Sequence, residues 1–276
     1  MIKNFLATTA VALLAFASAP AFAQGDQSAL SLGLGGYWIG YVTYASQDTA
    51  AGSEERHIDI LRDTEVHFKG ETTLDNGLTV GVLIEAAADM GDSFALDTST
   101  MYLSGSWGRL GFGGDDGAAF LLQVAAPSAD ANYDGLRQLI QGINYGVAPA
   151  AFTGLSAMEW DYSQDVTSTS DKVSYMSPVF NGFQAGVSYT PDVQATSYTG
   201  NQEATAVSRS LNGVNSDDVA GAYGASWDVA ARYNGQFESV DLTLGGGYTH
   251  VDHEEDAASE DDLTAWNLGA ALKFGQ

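Results

Sequence analysis

Between Asp63 and Lys69 the chain alternates: Asp63, Glu65, His67 and Lys69 share one parity, and Thr64, Val66 and Phe68 share the other. A period of two marks an extended strand with one wet and one oily face. After Asp75-Asn76-Gly77, the residues Leu78, Val80, Val82 and Ile84 alternate with Thr79, Gly81, Leu83 and Glu85. An Asn-Gly pair between alternating runs predicts a hairpin. The rule recurs downstream, where Phe183, Ala185, Val187 and Tyr189 oppose Gln184, Gly186 and Ser188, and Trp227, Val229, Ala231 and Tyr233 oppose Asp228, Ala230 and Arg232. Val240, Leu242, Leu244 and Tyr248 then oppose Ser239, Asp241, Thr243 and Thr249, and Trp266, Leu268, Ala270, Leu272 and Phe274 oppose Asn267, Gly269 and Lys273. Each run has about the length of a tilted membrane strand, and the pattern predicts roughly ten of them.

The connections alternate too. Short ones are expected near Asp75 to Gly77, Trp107 to Gly108, Pro178 to Gly182 and Asn234 to Gln236. Longer, mostly acidic ones are expected near 46–58, 89–98, 115–170, 191–222 and 251–262. Short turns at one end and long loops at the other describe an outer-membrane β-barrel, with the turns in the periplasm. A soluble sandwich has no reason to segregate loops in this way, and its inner face would be apolar. Tyr37, Trp38, Tyr44, Tyr189, Trp227, Tyr248 and Trp266 lie at strand ends, where aromatic girdles form at the membrane interfaces. The expected fold is therefore all-β, a transmembrane antiparallel barrel.

The first residues give the address. Lys3 precedes an apolar run from Phe5 to Phe16, and Ala21-Phe22-Ala23 supplies a small-x-small cleavage site, the order found in a secretory signal peptide. Residues 1–23 are thus expected to be removed, leaving a barrel domain at 24–276. The chain has no cysteine and only 5 prolines, so it relies on burial and backbone pairing instead of disulfides. Its formal charge is −25, from 10 basic and 35 acidic residues, or −26 once Lys3 is lost (9 minus 35). Such a surface repels nucleic-acid phosphates. Glycine, at 32 residues, exceeds the usual share of about 7%, which suits strands and tight turns better than helices.

Three stretches resemble general Gram-negative porins, especially the alphaproteobacterial branch. Glu65-Val66-His67-Phe68-Lys69-Gly70-Glu71-Thr72-Thr73-Leu74-Asp75-Asn76-Gly77-Leu78 is similar to their second strand, periplasmic turn and third strand. Tyr102 to Leu110 resembles the hairpin before the constriction loop, and Lys172 to Pro178 with Phe180 to Phe183 resembles the hairpin after it. The resemblance implies a homotrimer of barrels in outer-membrane lipid, each of about 16 strands, with the third outer loop folded inward to narrow a channel for small hydrophilic solutes and ions. Two departures stand out. The count is about six strands short of the family number, and Phe274-Gly275-Gln276 reads as a strand entering a periplasmic turn. A C-terminally truncated chain is the preferred reading, with a complete smaller barrel as the other. Secondly, many relatives carry an arginine near Gly114, where this chain has Gly113-Gly114-Asp115-Asp116-Gly117.

A pore selects through the charges at its narrowest point. By resemblance the constriction loop spans about 115–170, and Asp115, Asp116, Asp130 and Asp134 are its candidate pore-facing acids. Glu65, His67, Lys69 and Glu71 face inward by parity, with Arg109 and Arg232 further round the wall. Loop acids without the arginine predict a cation-preferring channel; the alternative is a non-conducting barrel serving as a structural or surface protein.

Catalytic and cofactor readings are weak. His250, Asp252, His253, Glu254 and Glu255 are metal-capable but lack helical spacing to converge them. The acidic outer loops offer carboxylates to Ca2+, though no ligand order resembles an EF-hand. Gly33, Gly35 and Gly36 do not open a helix, which excludes a dinucleotide loop. Some ten-stranded outer-membrane barrels are Asp/His proteases, but their motif is absent, and no enzyme is expected. N-terminal sequencing of membrane-extracted protein should read Gln-Gly-Asp, from Gln24; an intact Met1 would refute the leader.

Overall fold

The computed structural model describes residues 10–11, 30–50, 52, 56–90, 93–128, 132–140, 161–193, 222–254 and 261–275. The Ala21-Phe22-Ala23 site, Asp130 and Glu255 lie outside them. A two-residue strand β1 (Ala10–Val11) is followed by ten long ones: β2 (Ser31–Tyr44), β3 (Ile58–Thr73), β4 (Thr79–Met90), β5 (Ser93–Gly105) and β6 (Gly108–Gly114). After a short helix α1 (Ala118–Leu121) come β7 (Asp171–Met176), β8 (Phe183–Thr190), β9 (Tyr223–Phe237), β10 (Val240–His253) and β11 (Leu263–Phe274). Every strand pairs antiparallel with its neighbour in sequence, forming one sheet in the order β1 to β11. Among the described residues β11 pairs only with β10, and the sheet is open between β11 and β2. No described helix is long and apolar enough to cross a membrane.

The polarity of this sheet is inside out. Leu32, Leu34, Trp38, Val42 and Tyr44 of β2 are all exposed, as are Trp266, Leu268, Leu272 and Phe274 of β11, with Leu268 at 80% exposure. Water would penalise such a surface by about 25 cal/mol per Å² of apolar area, whereas hydrocarbon favours it. The buried side chains on the opposite face are mostly polar: Thr98, Thr100, Lys172, Ser174, Ser188 and Thr249 among them. The predicted alternation therefore sorts lipid-facing from lumen-facing residues.

Three expectations are corrected. Asn234 to Gln236 form no turn: Asn234 pairs with Thr243 and Gly235 with Leu242, and the reversal comes at Glu238, whose φ is +55. The Asn-Gly pair there lies in strand because the outward series Tyr233, Gly235, Phe237 continues the alternation. Likewise 89–98 is not a long loop, since β4 and β5 stay paired out to Met90 opposite Ser93. Register shifts between Ile84 and Ala86 and between Ala87 and Met90 disguised the period there while leaving Phe94 and Leu96 exposed on the oily face. Tyr37 leaves the girdle, because its odd parity turns it inward, where its hydroxyl donates to Asp63 Oδ2 at 3.2 Å. Trp227 and Tyr189 do stand together on the outer face, ring centres 4.4 Å apart.

The hairpin at Leu74–Leu78 shows why Asn-Gly was informative. Leu74 N donates to Leu78 O (2.8 Å), Leu78 N donates to Asn76 Oδ1 (3.0 Å), and Gly77 sits at φ +80, where a side chain is strained.

Inside the sheet, α1 and the chain after it lie on the wet face of β7 to β10. Glycine makes the room: a Cβ at Gly269 would stand 2.7 Å from Val124 Cβ, one at Gly245 would stand 2.6 Å from Val124 Cγ2, and one at Gly247 would stand 3.1 Å from Ala119 Cβ. Since valine suits a strand, Gly269→Val should keep the ladder yet push the loop off the wall. Arg137 is the single basic residue in 115–170, so trypsin cleavage after it, followed by mass spectrometry of the folded protein in detergent, should become several-fold faster. Unchanged protection would refute the packing argument.

Candidate functional site

The described limbs of the segment 115–170 lie on the wet side of the sheet between β6 and β7, and Lys172 holds both of its ends. This lysine is only 3% exposed. Its ammonium donates to the carbonyl of Asp115 on the outgoing limb and to those of Ser168 (2.6 Å) and Ser170 (2.8 Å) on the returning limb. Three carbonyl acceptors use all three donors of a lysine. Further along, Ala118 N donates to Ser188 Oγ (3.0 Å), which donates to Asp228 Oδ2 (2.8 Å), and Thr249 Oγ1 donates to the other oxygen of Asp228. Gln164 bridges to the far side: its side chain donates to Thr249 Oγ1 (2.8 Å) and accepts from Asn267 Nδ2 (2.6 Å), while its backbone amide donates to Gln123 Oε1 (2.8 Å). The loop is thereby fastened from β7 round to β11.

The predicted loop acids have unequal roles. Asp115 Oδ1 accepts from Asp116 N at 2.9 Å, a local turn contact. Asp134 caps the amides of Leu136 and Arg137 at 2.7 Å each and pairs with Arg137 Nε at 3.1 Å, so its charge is largely spent. Asp116 is half-buried between loop and wall: burial, reinforced by the neighbouring Asp115, pushes its carboxyl up to about 6. Asp165, on the returning limb, is a carboxyl that inspection of the sequence did not single out. Burial and then the charge of Asp116 push it up to about 8, against the pull of Lys172 and Arg137. Its Oδ1 is buried with no hydrogen-bond partner among the described residues.

The opposite wall carries the predicted inward series. His67 stands between Glu65 (Nε2 to Oε2, 2.9 Å) and Glu85 (Nδ1 to Oε1, 3.7 Å). Lys69 pairs with Glu71 at 3.1 Å, Tyr102 donates to Glu71 at 2.6 Å, and the Arg109 guanidinium lies 4.0 Å over the Tyr102 ring. Arg232 donates to Asn234 Oδ1 at 3.3 Å. The described ones among the predicted residues, Asp115, Asp116 and Asp134 of the loop and the six of the wall, lie on the wet side of the sheet, with Asp130 outside the described residues, whereas Lys172 and Asp165 emerged only from the structure. The parity of β7 was the one available signal for Lys172, since Lys172, Ser174 and Met176 share the inward side, while Asp165 lies in the loop, where parity says nothing.

Among the metal-capable residues, His250, Asp252 and Asp262 bring ligand atoms within 4.8 Å of one another, with His250 Nε2 3.0 Å from Asp252 Oδ1 and 3.9 Å from Asp262 Oδ2. They stand at the outer ends of β10 and β11, and His253 instead packs edge-on to Tyr223 at 5.5 Å.

Comparison with known proteins settles the family. The model of the Gram-negative porin family matches residues 7–276. The chain belongs to this family. No curated protein sequence matches it. Similar solved structures include an anion-selective porin from Comamonas acidovorans, with 19% identity, 88% of this chain and 74% of that one covered, and a TM-score of 0.46. A loop L8 deletion mutant of OmpT, an outer membrane protein of Vibrio cholerae, gives 11% identity, 91% and 78% coverage and a TM-score of 0.43. A mutant of Rh. blastica porin gives 14%, 90%, 81% and 0.40. The porin is an outer-membrane β-barrel protein whose strands cross the bilayer.

The raised carboxyl of Asp165 makes the loop contact sensitive to pH. An acid whose folded pKa (about 8) exceeds its unfolded value (about 3.9) holds its proton more tightly when folded, so stability is greatest at low pH and falls as pH rises between those values. Thermal unfolding followed by tryptophan fluorescence in detergent should give a higher midpoint at about pH 5 than at about pH 9, and Asp165→Asn should shrink that difference. An identical pH dependence in the variant would rule out Asp165 as its source.

Proposed function

We propose that this porin forms a water-filled, cation-preferring channel for passive diffusion of small hydrophilic solutes and ions, and that it works as a homotrimer. The observation that carries the reading is the acidic loop on the wet face. The described limbs of 115–170 carry the acids Asp115, Asp116, Asp134, Asp161 and Asp165 and the base Arg137. Asp165 favours its neutral form and Arg137 offsets Asp134, which leaves the charge of Asp115, Asp116 and Asp161. Hydrogen bonds from Lys172 of β7, Ser188 of β8 and Asn267 of β11 to the two described limbs support placing these acids at the lumen. Acidic groups at a narrow point of low dielectric focus the field, concentrating cations and repelling anions. Asp115 and Asp116 are the residues to which we assign the selectivity. Asp134 contributes less, because Arg137 neutralises it. On the wall, Lys69 pairs with Glu71 and the two shape the lumen without adding net charge.

In planar bilayers under a salt gradient, the reversal potential should show cation preference. Asp115→Asn/Asp116→Asn should lower the cation-to-anion permeability ratio by about twofold. Anion preference in the unmodified protein would overturn the assignment. A folded protein without conductance would point to the non-conducting barrel instead.

A further inference from the structure

The inner face sorts its charges by height. Positions next to the short turns are periplasmic, and strand numbering therefore gives depth. Lys69 stands four residues before β3 ends at Thr73, Arg109 is the second residue of β6, and Arg232 pairs with Gln184, the second residue of β8. Lys273 is the last but one of β11 and pairs with Asp241, the second residue of β10. All four bases have inward parity, since Phe68, Phe112, Val229 and Leu272 on the alternate positions are the exposed apolar ones. At this depth the strands offer two inward acids, Glu71 and Asp241, so the level carries +2 (4 minus 2). Glu71 is already engaged by Lys69 and Tyr102. Among the described residues Arg109, Arg232 and Lys273 have no carboxylate within salt-bridge distance; Arg109 rests on a ring and Arg232 on an amide oxygen.

Toward the outer end the sign reverses. Asp63, Glu65, Glu85 and Asp97 line the inner face of β3 to β5 above Lys69. The loop adds Asp115 and Asp116, near enough for the charge of Asp97 to act on Asp116. Among the described residues two bases stand with these acids on the inner side, and both are committed, Lys172 to three carbonyls and Arg137 to Asp134, while Arg62 beside Asp63 has the outward parity.

We propose that the lumen is axially polarised, a cation-attracting zone at and above the constriction in series with a cationic periplasmic collar of Arg109, Arg232 and Lys273, and that the channel therefore rectifies. The inference rests on the channel reading above. From Lys69 to Asp63 is six residues, or roughly 20 Å along a strand at about 3.3 Å each. The zones remain distinct in 0.1 M salt, where the Debye length is about 10 Å, and are largely screened at 1 M, where it is about 3 Å. With the outer side positive, cations enter through the acidic zone and anions through the collar, so both ions accumulate where the zones meet and conductance rises. With the polarity reversed, each ion first meets the zone that repels it, and the junction is depleted.

The test is the single-channel current–voltage curve of the full chain in symmetric KCl. The outer side is identified by streptavidin block of a biotin placed in the 45–57 loop. At about 0.1 M the conductance should be at least roughly 1.5-fold larger with the outer side positive, and the asymmetry should vanish near 1 M. The triple variant Arg109→Gln/Arg232→Gln/Lys273→Gln, with folding shown by heat-modifiable gel migration, should rectify less and prefer cations more strongly. A conducting but symmetric unmodified protein, the opposite polarity, or rectification unchanged in the folded variant overturns the axial proposal alone. Absence of conductance from the folded protein overturns the channel reading with it.

Discussion

In hydrocarbon every unsatisfied backbone N–H or C=O costs several kcal/mol, and the rest of this structure follows from that penalty. The ladder between β2 and β3 runs unbroken over fourteen pairs, from Ser31 opposite Glu71 to Tyr44 opposite Ile58. Once a strand is held straight by such a ladder, its side chains can only alternate. Lipid takes one side and water the other, so Leu32, Trp38, Trp266 and Leu268 are exposed while Thr100, Ser188 and Thr249 are buried. The meander order is the economical answer to the same penalty, because adjacent strands joined by short turns pair with little loop to close.

A wet interior brings a second requirement: polar groups shielded from solvent need partners. Lys172 meets it with three carbonyls, and Asp228 meets it with Ser188 and Thr249. These contacts bind the two limbs of the loop to the wall, and glycines at 245, 247 and 269 let the backbone come close enough to make them. Asp165 is the exception, with a buried oxygen that finds no partner among the described residues. A carboxyl in that position favours its neutral form, because desolvation penalises the charge more than a distant lysine rewards it. Structural fastening and channel electrostatics are thus built from the same few side chains.

The sequence by itself determined the fold class, the approximate strand count and the inward set Glu65, His67, Lys69, Glu71, Arg109 and Arg232, because period two is a local property that survives without knowledge of partners. It misread places where the local signal was disguised. Asn234-Gly235 carried turn chemistry but sat in a ladder, the register shifts of β4 and β5 broke the count near residue 90, and Tyr37 was assigned by its type instead of its parity. Only the tertiary structure decided how the loop is held and what its acids do. Lys172 meets Asp115 across 57 positions and Gln164 meets Asn267 across 103. No periodicity encodes such pairs, since they depend on which strands the ladder brings round to face the loop. The protonation of Asp165 and the neutralisation of Asp134 are likewise properties of surroundings: burial and neighbouring charge set them, and a linear sequence shows neither.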